Sequence, residues 1–264
     1  MAFGLFNHQV LHFKDESVRQ GRTIVFANSL GTDLRIWDEL AAWFAGEFRI
    51  LRYDLRGHGL SEAPPAPYAL EDLVDDLAAL LDAREIRGAV LVGLSVGGLV
   101  AQGLAARRPD LVHLLVLCDT AHKIGTPEMW NARIEAIRAG GLGSIADALL
   151  ERWFSAEFRK TRSAELAGYR NMLVRMPVEG YIGVCAALRD ADLAETSRTL
   201  AQPTLCLVGE ADRTSPPELV EQLSRLIPNA DFGMIQGAGH LPCIEAPRAM
   251  ASRIESFIRS NLGA

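Results

Sequence analysis

The stretch from Gly88 to Ala106 constrains this chain more than any other part, because it is uncharged and about long enough to cross a bilayer, yet its interior argues against that use. It holds Gly93-Leu94-Ser95-Val96-Gly97, a G-x-S-x-G element. Before it runs the β-rich piece Ala89 to Val92, and after it an apolar helical run ends near Arg107, Arg108 and Pro109. A buried strand, a sharp turn and a helix fit this order of residues. A serine on such a turn needs neighbours without a Cβ, so that strand and helix can close on it and leave its hydroxyl at the carboxyl edge of a sheet.

The rest of the chain repeats the rhythm. Thr23 to Ala27, Arg49 to Tyr53, His113 to Cys118, Thr204 to Val208 and Phe232 to Ile235 read as further strands, and Leu70 to Ala83, Val96 to Arg107, Pro217 to Leu226 and Pro247 to Ile258 as helices. Alternation of this kind predicts an α/β fold, a mostly parallel sheet covered by helices on both faces. From residue 121 to residue 198 the strands vanish and helical patterns follow one another, with Trp130, Trp153, Tyr169 and Tyr181 among them. This predicts a helical lid over 121–198, inserted into a core formed by 1–120 and 199–264. The lid carries 11 basic against 10 acidic residues, a net of +1, so the core carries about −7 against the chain's total of −6. A near-neutral lid over an acidic body tolerates an anionic substrate.

The same charge offers no basic field to a phosphate backbone, and nucleic acid is not expected as a partner. Cys118, Cys185, Cys206 and Cys243 form no CxxC pair, and two of them fall in apolar strand-like runs, which predicts buried free thiols in a reducing, cytoplasmic setting. Met1 to Val10 has no basic region followed by an apolar stretch, so neither export nor membrane attachment is expected.

A serine hydroxyl is a poor nucleophile at neutral pH and needs a histidine base held in one tautomer by a carboxylate. His113, His122 and His240 follow Ser95; His113 opens a predicted strand, and His240 lies in a Gly-rich loop directly after the last predicted strand, where a base can reach the sheet edge. His58, in a glycine-rich turn before the serine, reads as structural. Asp212 follows the strand Thr204 to Val208 and is the preferred acid, with Asp119, at the end of His113 to Cys118, as its competitor. Because His240 must be neutral to accept a proton, kcat/KM should rise with pH as the imidazole deprotonates. The oxyanion that forms needs two backbone donors, and position assigns them to the N–H groups of Val96 and Leu30.

With these residues in place, the chain resembles the α/β-hydrolase family throughout, through DLRGHGLS at Asp54 to Ser61, GLSVGG at Gly93 to Gly98, and Gly239-His240. Within it, the chain looks most like the 3-oxoadipate enol-lactonases, on FANSLGTDLRIW from Phe26, LCDTAHKIGTPEMW from Leu117, IRAGGL from Ile137, PVEGYI from Pro177, RDADL from Arg189 and GAGHLPC from Gly237. His122 departs from the small residue expected before Lys123. The resemblance implies an α/β-hydrolase fold and hydrolysis of a small anionic enol-lactone in aromatic-compound catabolism, with no metal, nucleotide or flavin cofactor. A substrate carboxylate calls for a cation. Arg133 is the first candidate, followed by Arg138 and Arg152, with Met129, Trp130 and Trp153 as apolar walls. Another serine esterase of this type would share the triad, and a ligand-binding receptor on the same fold would keep it without sustained turnover.

Overall fold

The computed structural model describes residues 2–16 and 21–262. Eight strands, β1 (Ala2–Phe6), β2 (Gln9–Glu16), β3 (Thr23–Ala27), β4 (Arg49–Tyr53), β5 (Ala89–Leu94), β6 (Val112–Cys118), β7 (Thr204–Gly209) and β8 (Ala230–Ile235), form one sheet in the order β1-β2-β4-β3-β5-β6-β7-β8. Pairing is antiparallel for β1 with β2 and for β2 with β4, and parallel from β4 to β8. The central strands β3, β5 and β7 are buried at every position, which is why their sequences are continuous apolar runs rather than alternating ones.

The helices of the core are α1 (Asp38–Phe44), α2 (Leu70–Ala83) and α3 (Val96–Arg107). Six more, α4 (Pro127–Gly140), α5 (Ala146–Trp153), α6 (Ala156–Thr161), α7 (Ser163–Val174), α8 (Val178–Asp190) and α9 (Ala194–Arg198), fill the connection from β6 to β7 without an intervening strand. The chain closes with α10 (Pro217–Leu226), α11 (Pro242–Glu245) and α12 (Pro247–Leu262). In α2, Leu73, Val74, Leu77, Leu80 and Leu81 are buried, the spacing of one apolar face. Helix α3 is buried from Val96 to Ala105, so the uncharged stretch from Gly88 to Ala106 is a buried strand-turn-helix at the centre of the sheet. Among the described residues no helix is long and apolar enough to cross a membrane.

The expected α/β architecture is present, and one part of it lies outside the sequence expectations. The hairpin β1–β2 turns through Asn7 and His8, both at positive φ (47° and 63°), the conformation a two-residue hairpin turn needs. Its apolar residues alternate with exposure, leaving Phe3 and Leu5 on the solvent side, so no continuous apolar run marks it. The four cysteines are buried and free, with Cys118 on β6 and Cys206 on β7.

Candidate active site

The carboxyl ends of the central strands build the site. Ser95 sits between β5 and α3 at φ 58°, ψ −117°, a left-handed conformation that an L residue adopts only when its surroundings enforce it. The surroundings are specific. The Ser95 N–H donates to the Cys118 carbonyl (2.9 Å), and its own carbonyl accepts from the Thr120 hydroxyl (2.7 Å), so the end of β6 clamps the turn. A Cβ on Gly97 would run into the backbone carbonyls of Ala27 and Asn28, which is why the helix start can lie directly on the end of β3. That approach sets the first N–H groups of α3, which have no partner within the helix, beside the loop after β3.

His240 follows β8. Its Nδ1 pairs with Asp212 Oδ2 at 2.8 Å, leaving Nε2 as the nitrogen that can take a proton, and both side chains are almost fully buried. Asp212 Oδ1 accepts the N–H groups of Thr214 (2.7 Å) and Ser215 (3.1 Å). The His240 N–H donates to the carbonyl of Trp153 at 2.8 Å. Glu245 adds a second tie, accepting from the Gly239 N–H (2.8 Å) and from both the N–H and the hydroxyl of Ser155. Burial raises the Glu245 carboxyl above its usual range, against the lowering effect of these donors. The insertion therefore holds the loop that carries His240.

With this geometry in hand, comparison with known proteins becomes informative. A profile described as the alpha/beta hydrolase family matches residues 24–253. The chain belongs to that family. It is 31% identical over 263 residues to 3-oxoadipate enol-lactonase 2 of Acinetobacter baylyi, covering 95% of this chain and 98% of the relative. To 3-oxoadipate enol-lactonase 1 of the same organism it is 34% identical over 237 residues, covering 90% of this chain and 88% of the relative. Among solved structures, the enol-lactonase from Burkholderia xenovorans LB400 superposes with a TM-score of 0.94 at 37% identity, over 97% of this chain and 99% of that one.

In this alpha/beta hydrolase the loop after β3 carries the expected donor residue Leu30, itself buried. Sequence reasoning left His58 without a link to the site. The structure supplies one, because His58 Nε2 accepts the N–H of Gly31 (3.0 Å), the residue next to Leu30, while Nδ1 lies 3.3 Å from the Arg56 carbonyl. Gly31 has φ 78°, and a Cβ there would press on Leu173, Tyr181 and Trp153, so the insertion packs onto this loop. Burial pushes His58 down to about 4. A depressed folded-state value means its contribution is present above the unfolded value of about 6.5 and is lost as pH falls toward the folded one. Urea denaturation across that window should therefore show a loss on the order of 3 kcal/mol that the variant His58→Gln does not share. Equal slopes for both proteins would count against a neutral His58.

Among the other expected residues, Trp130 is buried and its indole N–H donates to the Ile124 carbonyl (2.7 Å). Arg133 lies over the Trp130 ring, 4.7 Å from its centre. Arg152 is held by the Arg213 carbonyl (3.1 Å), and its pKa is lowered by burial first and then by Arg133, while Asp212 acts in the opposite direction. Arg152 thus sits within electrostatic reach of both Arg133 and Asp212, and Arg133 also neighbours the buried Tyr181. Among the described residues neither arginine has a carboxylate partner. Arg138 is a correction: its side chain is 60% exposed and pairs with Glu135, because five positions along a helix is about 140° around it from Arg133. Trp153 is buried and contributes the carbonyl that holds His240.

Asp119 is not set apart from Asp212 as an alternative acid. One carboxylate oxygen of each and one ring nitrogen of His240 lie within 4.8 Å of one another, all buried. A separate cleft of about 840 Å³, lined by His12, Asp54, Leu60, Tyr169, Met172 and Met176, contains none of Ser95, Asp212 and His240. Its Asp54 is engaged by His12 Nδ1 (2.7 Å) and the N–H groups of Leu34 (2.7 Å) and Leu60 (2.9 Å), a turn-fixing arrangement.

Proposed function

We propose that this hydrolase opens a small carboxylate-bearing lactone, 3-oxoadipate enol-lactone, to 3-oxoadipate, in cytoplasmic breakdown of aromatic compounds. The observation that carries the reading is the pair Arg133 and Arg152, two guanidinium groups that among the described residues have no carboxylate partner in a salt bridge, with Arg152 in electrostatic reach of Asp212, the partner of His240. Two half-buried cations, one of which lowers the pKa of the other, favour an anion near them. The enol-lactonases among the relatives support the choice of lactone.

Ser95 attacks the lactone carbonyl while His240 Nε2 takes its proton, and Asp212 stabilises the imidazolium. The oxyanion accepts from the N–H groups of Leu30 and Val96. Collapse breaks the ring C–O bond and expels an enolate, which stays tethered because the ester is cyclic and becomes a ketone on protonation. Water activated by His240 then attacks the acyl-enzyme and frees Ser95. Each proton moves between Ser95, His240, substrate and water, so the sequence balances with these side chains alone.

The test compares kcat/KM on the enol-lactone, generated in situ, with that on a neutral p-nitrophenyl ester. Arg133→Ala should raise KM for the lactone by about 10-fold to 100-fold, the weight of a hydrogen bond to a charged group, with a much smaller effect on the ester. Ester turnover without lactone turnover would remove the substrate assignment and leave the triad untouched.

A further inference from the structure

Two buried carboxyl groups meet behind the base, and their surroundings are unequal. Asp212 receives three hydrogen bonds, from His240, Thr214 and Ser215. Asp119, fully buried at φ 49° directly after β6, receives one, from the Gly209 N–H to Oδ1 at 2.8 Å. Its other oxygen, Oδ2, is buried with no partner. An orphaned carboxylate oxygen in a sealed site is costly, and two like charges this close cannot both persist. If Asp119 carries a proton on Oδ2, that oxygen becomes a donor and the adjacent Asp212 carboxylate is its acceptor. Both difficulties are resolved at once.

We propose that Asp119 is a positioning residue that keeps a proton at neutral pH and shares it with Asp212, moderating how strongly Asp212 stabilises the His240 imidazolium. The groups around it are consistent with this. Cys118 lies next to it on β6, with Cys206 on β7 close by; Cys243 and Glu245 face it from α11, and His240 from the loop before that helix. The Cys118 and Cys243 thiols are pushed well up, chiefly by burial, so they supply no charge. Burial, and then the charge of Asp212, push Asp119 well above the usual carboxylate range. The register Cys118↔Leu207 explains the meeting, since it sets the residue after β6 against the end of β7, where Gly209 begins the turn to Asp212.

The proposal needs only the triad and is independent of which lactone or ester is the substrate. It is tested by infrared difference spectroscopy of wild type against Asp119→Asn, together with NMR titration of the His240 ring in wild type, Asp119→Asn and Asp119→Ala. Asparagine mimics the protonated acid, with an amide donor toward Asp212 and an acceptor for the Gly209 N–H. The expected result is loss of a carboxylic-acid C=O band at neutral pH in Asp119→Asn, with a His240 midpoint within about 0.3 unit of wild type. In Asp119→Ala the lost donor should move the midpoint up by about 0.5 to 1 unit. Because the raised value costs folded-state stability as pH rises, Asp119→Asn should also melt above wild type at neutral pH, by a margin that shrinks toward about pH 4. An ionised Asp119 would give the opposite pattern: no acid band lost, and a midpoint lowered by about one unit in Asp119→Asn as a neighbouring negative charge disappears. That result overturns the proposal, and so does an unchanged midpoint in a folded Asp119→Ala protein. Should Asp119→Ala fail to fold, the infrared band and the Asp119→Asn titration decide the question.

Discussion

Ser95→Ala lowers kcat by about 10⁴-fold to 10⁶-fold and leaves the fold intact; that is the largest effect expected from any single substitution here. The substitution removes one oxygen from a residue whose backbone is fixed by Cys118 and Thr120, not by its own side chain. Alanine meets the same strain as serine at φ 58°, so the turn loses no conformational preference and the melting temperature should hold. What remains is the rate that an oxyanion site and an oriented water can sustain without a nucleophile. Steady-state turnover of a p-nitrophenyl ester, with melting followed in parallel, reads both quantities. A rate within tenfold of wild type would sink Ser95 as nucleophile, and with it the acyl-enzyme route.

How much of this site could be read before the structure depends on whether a residue's role is carried by its neighbours in the chain or by distant ones. Ser95 and its glycines are a local device, complete within five residues, and the fully apolar strands around them announce their own burial. His240 and Asp212 are legible because they follow strands of a recognisable rhythm. The ties that hold them are not, since Glu245 reaches back to Ser155 and His240 to the Trp153 carbonyl, and backbone acceptors leave no mark on a sequence. Arg133 and Arg138 look equivalent as residue types, and only the helical angle between them separates one beside Trp130 from one in solvent. The contact between Asp119 and Asp212 is hidden for a similar reason: it arises from β6 and β7 being paired neighbours, a fact of sheet order that the intervening helices obscure.

That contact makes the second large effect diagnostic. Asp212→Asn should lower kcat by about 10⁴-fold, because an amide cannot both keep its oxygen on the Thr214 and Ser215 N–H groups and accept from His240 Nδ1. With the amide nitrogen facing the ring, Nδ1 must become the acceptor. The proton then moves to Nε2, the nitrogen that has to receive one from Ser95. The turn that carries residue 212 keeps both of its backbone hydrogen bonds, so the loss should appear in turnover and not in melting. Asp119→Asn offers the matched comparison, since it too exchanges a carboxyl for an amide within the same cluster but preserves the donor that a protonated acid would present. Turnover that collapses in Asp212→Asn and survives in Asp119→Asn assigns the working carboxylate to the turn after β7. The reverse would move the triad acid to the end of β6 and require the His240 ring to pair with Asp119 during turnover, which the 2.8 Å bond to Asp212 does not favour.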